Sequence, residues 1–232
     1  MKRELRELTI ADREAFLNAA ATLWNTDTFT GRAQYGSKYT SMATFVEEHA
    51  LASNNIRCDA YHEGTGFITH HLALQNSFDA SIRAVDPSVI TPYWDFTIEG
   101  QMIVDAQKSP SHLLKVSPFY SSEWFGSTDN LDHIVTSRWA HKQMPRTSAS
   151  SVVNPNSFGF VRSYWNNNPD PEITRRLFDV CGVEPIYKTV PACSDHYSVM
   201  QSSTLGIFQM TSPGYGHGPL HVRTGQGRAQ CF

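Results

Sequence analysis

Residues Cys58 to Phe96, CDAYHEGTGFITHHLALQNSFDASIRAVDPSVITPYWDF, constrain the fold more than any other stretch. His62, His70 and His71 fall within ten residues, and an amphipathic helix pattern follows. Leu74, Phe78 and Ile82 recur every fourth residue, with His71 and Phe67 one and two turns earlier on the same side. Asp86-Pro87 ends the helix, because proline lacks an N–H and restricts the residue before it. The run VITPYWDF then reads as a short extended exit. A helix that carries histidines on its apolar stripe directs imidazoles into a core.

The upstream and downstream segments extend this pattern. Thr9 reads as the cap of a packing helix whose stripe is Ala15, Phe16, Ala19, Ala20 and Leu23. Asn25 to Tyr39 is polar, contains two glycines and reads as a loop. Ser41 opens a second helix, on which Met42, Phe45, Val46 and His49 share one face. Taken alone, His49 is a buried histidine with a satisfied partner. Thr97 to Asn168 shows little periodicity and reads as long irregular loops, with Arg138-Trp139-Ala140 packing them onto the core. His112, His133 and His141 lie there without ligand spacing. Asp170-Pro171-Glu172 opens a helix with Ile173, Leu177 and Val180 on its face, ended by Gly182. Ser194 caps a short helix over 195–201. Near the end, His217 and His221 form an H-x-x-x-H pair, one helical turn apart. Pro219 places the start of that helix at about His217 or Gly218.

The joint spacing of His62, Phe67 and His71, followed by an apolar helix and Pro92-Tyr93-Trp94-Asp95, resembles the first copper-binding half of the tyrosinase family. These are dinuclear, type 3 copper oxidases of phenols. The resemblance implies a mainly α fold, a tyrosinase-like helical bundle holding a dinuclear copper site, with long irregular loops. It implies one copper-binding domain over residues 1–232. It makes His49 the first ligand of the first copper, selects His71 over His70, and assigns His217 and His221 to the second copper. The implied metal ligands are therefore His49, His62, His71, His217 and His221, and the implied cofactor is copper, two ions in a complete site. No catalytic residue beyond these ligands is implied.

The family uses six histidines, and the sixth lies on a helix well downstream of the H-x-x-x-H. The tail VRTGQGRAQCF is short and polar, so either the chain is truncated before that helix or another histidine such as His196 substitutes; the tail favours truncation. Some family members bond a cysteine two residues before the second ligand to that histidine as a thioether. Cys58 stands four residues before His62, so a buried thiol or a disulfide is expected instead. Hydroxylating members carry an Asn directly after the first ligand of the second copper. Gly218 stands there, which implies oxidation of o-diphenols to o-quinones, as in a catechol oxidase, over hydroxylation of monophenols. Expected partners are a small phenolic substrate and dioxygen. A copper-binding or oxygen-carrying protein without turnover, like haemocyanin, is the alternative. A zinc hydrolase built on His217 and His221 is weaker, because no general-base Glu accompanies the pair.

Composition narrows the partners. The 232 residues carry a net charge of −3, which marks no nucleic-acid partner. No apolar run approaches the roughly 20 residues of a membrane span. The N-terminus MKRELRELTI has no apolar signal region, which favours an intracellular protein or a chain that has lost its leader. The absence of an Asn-x-Ser/Thr site points the same way. The four cysteines form no C-x-x-C, so a zinc ribbon is excluded, and Cys181 and Cys193 are spaced for a bridge in an oxidising compartment.

Overall fold

The computed structural model describes residues 1–53, 59–62, 64–144, 171–173, 175 and 190–223; the side chains of 216 and 221–223 are outside that description. The described chain is mostly helical and has no sheet. Helix α1 spans Ile10–Asn25, α2 Thr28–Tyr35, α3 Met42–Ser53 and α4 Gly64–Val85. Helix α5 spans Thr97–Ala106 and α6 Leu113–Val116, with short 3-10 turns around them. Near the C-terminus come α7 (Cys193–Met200), α8 (Leu205–Ser212), a π-helical turn (Pro213–His217) and α9 (Gly218–Arg223). Among the described residues no helix is long and apolar enough to cross a membrane.

The expected α1 and α3 form, each for the reason read in the sequence. Thr9 accepts from the Asp12 N–H at 3.1 Å, and Ser41 Oγ accepts from the Thr44 N–H at 3.3 Å. The α4 stripe also faces inward. Ile82 is fully buried, and Leu74 and Phe78 pack on the same cluster as Ala19, Ala20, Leu23, Tyr39 and Phe45. Trp139 joins this cluster edge-on to Trp24, at 6.5 Å between ring centroids, while Arg138 pairs with Glu14 on α1. The loop thus packs on the core through Arg138 and Trp139, two of the three residues expected to do so.

Several segments are more regular than their composition suggests. The stretch read as a loop from Asn25 to Tyr39 contains α2, because Asp27 accepts from the Thr30 N–H at 2.9 Å and caps it. Gly31 is there for close approach: a Cβ would stand 2.0 Å from the buried Tyr39 ring. The Tyr39 hydroxyl donates to the carbonyl of Thr26, at 2.9 Å, just beyond the end of α1. Likewise Thr97 opens α5 rather than a loop. Asp95 caps it by accepting from the Thr97 N–H at 3.2 Å and from the Thr97 hydroxyl. Residues 171–173 do not open a helix. Met144 donates to the Pro171 carbonyl and Ile173 to the Lys142 carbonyl, an antiparallel pairing. The remainder of that expected helix lies outside the described residues. Helix α7 starts at Cys193, and its cap is the Asp195 carboxylate on the Ala192 N–H, not Ser194. Cys193 carries a free, exposed thiol, and Cys181, the partner its spacing suggested for an oxidising compartment, lies outside the described residues.

The helix of the H-x-x-x-H pair, α9, begins at Gly218, within the expected start at His217 or Gly218. It continues from α8 through the π turn, in which the Gly218 N–H donates to the Pro213 carbonyl, five residues back. A π turn breaks the regular i→i−4 ladder locally, so a proline that would clash in an uninterrupted α-helix is accommodated.

The PYWD exit is a structural tie. The backbone of Tyr93 pairs with Arg3 and Leu5 of the N-terminal arm. Trp94 Nε1 donates to Glu99 at 2.9 Å, and Ser117 donates to the same carboxylate at 3.0 Å. Glu99 has no exposed surface and is neutralised by the Arg6 guanidinium, which also pairs with Glu4. One buried carboxylate therefore joins the N-terminal arm, the exit, α5 and the Ser117 turn. A buried carboxylate that loses its cation costs about 3–5 kcal/mol. Arg6→Ala is expected to lower unfolding free energy by that amount in urea denaturation, and Glu99→Gln to restore part of it in the Arg6→Ala background.

The arm also reaches α4, where Lys2 pairs with the buried Asp79 at 2.8 Å. Burial alone would raise the Asp79 carboxyl, but hydrogen bonds from Lys2 and Gln75 outweigh it and hold it below its ordinary value of 3.8. A depressed folded value stabilises the fold above the ordinary value, and that contribution is lost as pH falls through the lower, folded one. Asp79→Asn is therefore expected to flatten the fall of Tm with acidification below about pH 4.

Candidate metal centre

Three segments bring histidines together. His49 comes from the third turn of α3, His62 from the loop after it and His71 from the third turn of α4. One ligand nitrogen from each can lie within 4.8 Å of the other two. The ring centroids are 5.0 Å apart for His49 and His62, 5.6 Å for His49 and His71, and 5.7 Å for His62 and His71. All three side chains are half-buried.

Two of the rings have their orientation and tautomer set. His71 Nδ1 lies 2.7 Å from the Phe67 carbonyl, and His62 Nδ1 lies 2.8 Å from the Asp59 carboxylate. Both acceptors are oxygens without a proton to give, so Nδ1 is the donor in each ring and Nε2 carries the lone pair. Nε2 of His71 is buried without a hydrogen-bond partner. Burial lowers the His71 pKa, with the Phe67 carbonyl and Asp59 acting against this, and so favours the neutral ring. A neutral imidazole aiming an unpartnered nitrogen into a cluster of its own kind is a metal-ligand donor in waiting.

The C-terminal pair meets this cluster through His217. Its ring lies 5.0 Å from His71 and 5.6 Å from His62. Phe67 packs against both sides, with its ring 5.0 Å from His71 and 5.0 Å from His217. His221 lies one turn further along α9; its side chain is outside the described residues. The structure thus brings together four of the five histidines singled out by spacing. His70, the neighbour set aside, is exposed, and its Nδ1–H donates to the Gly66 carbonyl, 3.1 Å away. That oxygen accepts only, so Nδ1 of His70 is the donor.

The other histidines are occupied elsewhere. His133 pairs with Asp129 at 3.3 Å and His141 with Glu172 at 3.0 Å. His196 packs its ring 5.0 Å from Phe96, and its Nε2 is buried without a partner. Cys58 lies outside the described residues.

Sequence reasoning missed Asp59, Tyr61 and Gly66. Asp59 accepts from the N–H groups of Tyr61 and His62, at 3.0 and 2.9 Å, as well as from the His62 ring. An Asp three residues before a ligand, at the head of a turn, was the available signal. Gly66 lets the first turn of α4 approach this loop: a Cβ would stand 2.3 Å from the Ala60 carbonyl oxygen.

Comparison with known families gives a family-model match described as the common central domain of tyrosinase, over residues 33–232. No curated protein sequence matched the chain.

Removing the carboxylate behind a ligand imidazole costs about 10–100-fold in metal affinity. Asp59→Asn is expected to weaken copper binding by that factor in a chelator competition, with far-UV circular dichroism unchanged. Gly66→Ala, which forces the loop away from α4, is expected to weaken it at least as much.

Proposed function

The chain belongs to the tyrosinase family, and from that premise we propose that it is a copper-dependent oxidase that converts o-diphenols to o-quinones with dioxygen. The observation that carries this reading is the convergence of His49, His62 and His71, with the His71 Nε2 buried and unpartnered, on a fourth ring, His217, supplied by the C-terminal helix. Neutral imidazoles suit copper in both oxidation states. In this reading His49, His62 and His71 hold one copper, and His217 and His221 contribute to the second. Bound copper would supply the site for dioxygen and accept the electrons taken from the phenol.

The chain's own residues prepare that site. The Phe67 carbonyl and Asp59 keep protons on the Nδ1 atoms, so Nε2 is presented without a proton to displace. Phe67 packs against both His71 and His217, 5.0 Å from each ring, and covers that side of the pair with hydrocarbon. Gly218 is buried directly after His217 and has no side chain with which to take a phenol proton. This supports diphenol oxidation over monophenol hydroxylation.

The test is reconstitution. The full chain, loaded with copper and freed of excess ion, is expected to bind two coppers and form quinone from catechol in air, while a monophenol such as tyramine reacts far more slowly. His71→Ala and His217→Ala are each expected to reduce quinone formation to background. Two coppers with reversible oxygen binding and no quinone would identify an oxygen carrier instead; one copper and no quinone would overturn the oxidase reading. Hydroxylation of tyramine at a rate comparable to catechol oxidation would overturn the role given to Gly218.

A further inference from the structure

Tyr61 sits at the junction of the three segments that carry the first histidine cluster, and nothing in the metal-binding reading uses it. It is 8% exposed. Its ring lies 4.8 Å from His49 and 5.2 Å from His71, edge-on to both, and 5.4 Å from His70. His49 and His71 belong to different helices, and Tyr61, like its neighbour His62, touches both rings from the connecting loop. Its own position is tied at two points. Asp59 accepts the Tyr61 N–H at 3.0 Å, and the Ala60 N–H donates to the Ala52 carbonyl of α3 at 3.2 Å. The same Asp59 carboxylate orients the His62 ring. The Tyr61 hydroxyl makes no hydrogen bond among the described residues, so its contacts here are those of the ring.

We propose that Tyr61 is a positioning residue of this centre, a rigid aromatic wedge between α3 and α4 that sets the relative orientation of the His49 and His71 imidazoles. The inference rests on the copper reading above and adds to it a residue that binds no metal. Edge-on aromatic contacts have a preferred geometry, whereas an aliphatic chain of similar volume fills space without imposing an angle. With Asp59 it forms one loop module: the carboxylate fixes His62 directly, and Tyr61 fixes the two helical rings through contact. The ring therefore matters and the hydroxyl does not.

Two variants of the full chain separate these roles. Tyr61→Phe keeps the ring. Tyr61→Met keeps the volume and removes the ring, so folding is retained, as far-UV circular dichroism and Tm will verify. Copper is delivered as one equivalent of the cupric ion, and affinity is read by chelator competition and ligand geometry by electron paramagnetic resonance. Tyr61→Phe is expected to match the parent in affinity and spectrum. Tyr61→Met is expected to lose about 10-fold or more in affinity, within the range for groups that orient metal ligands, and to show an altered copper hyperfine pattern. Parent-like affinity and spectrum in Tyr61→Met would overturn the wedge. So would a loss in Tyr61→Phe equal to that in Tyr61→Met, which would assign the effect to the hydroxyl. A parent chain that takes up no copper sinks the copper reading and this proposal together, and that result differs from the pattern in which only the variants fail to discriminate.

Discussion

An imidazole presents one nitrogen to a metal in a fixed direction when its other nitrogen holds the proton and is itself held. His71 and His62 meet that requirement in two different ways. His71 uses a backbone carbonyl one helical turn back, an acceptor that any helix provides at that position. His62 lies in a loop, where no such carbonyl is automatic, and relies on a carboxylate three residues earlier. That carboxylate also gathers the N–H groups of the turn, so the backbone of the loop and the angle of the ring are set by one side chain. The rest of the centre follows from these two constraints, because they leave Nε2 as the atom facing the other rings.

The frame around the centre is built to hold α4 still. Its inward stripe packs on α1 and α3, while its polar side is tied to the N-terminal arm through Asp79 and Lys2. Beyond its end, the chain is tied down by Glu99, a carboxylate with no access to water and three polar partners, Arg6, Trp94 and Ser117, drawn from separate parts of the sequence. Burying such a charge is costly unless it is fully paired. Its pairing with Arg6, Trp94 and Ser117 converts that cost into a condition on the fold, since the charge is tolerated only when arm, exit and α5 are assembled. The arm lies outside the matched family region, residues 33–232, yet it supplies the cation for this carboxylate and the ammonium for Asp79.

Much of the helical frame was legible in the sequence. Thr9, Ser41 and Asp86-Pro87 mark boundaries through local chemistry, capping and a missing N–H, which act over a few residues and need no partner elsewhere. The Leu74, Phe78 and Ile82 stripe is legible for the same reason, as a period. What escaped was regularity hidden in polar composition. Asp27 and Asp95 cap α2 and α5 in stretches that read as loops, and Gly31 looks like a breaker until the Tyr39 ring is seen against it. The π turn ahead of Pro219 escaped because a sequence shows that proline is present but not whether the preceding hydrogen-bond ladder has shifted to receive it. Residues 171–173 read as a helix start from Pro171, but their backbone groups were claimed by a short bridge to residues 142–144.

The sequence by itself determined which imidazoles stand on helix faces at ligand spacing, His49, His71 and the His217–His221 pair, because a helical period is a local property of the chain. It did not determine that three of those faces and one loop would meet at a single point. That meeting depends on contacts between separate segments: Tyr61 against His49 of α3 and His71 of α4, Gly66 against the Ala60 carbonyl, and Phe67 and His71 against His217. Such contacts have no period and no fixed spacing, so only the packed tertiary structure decided them.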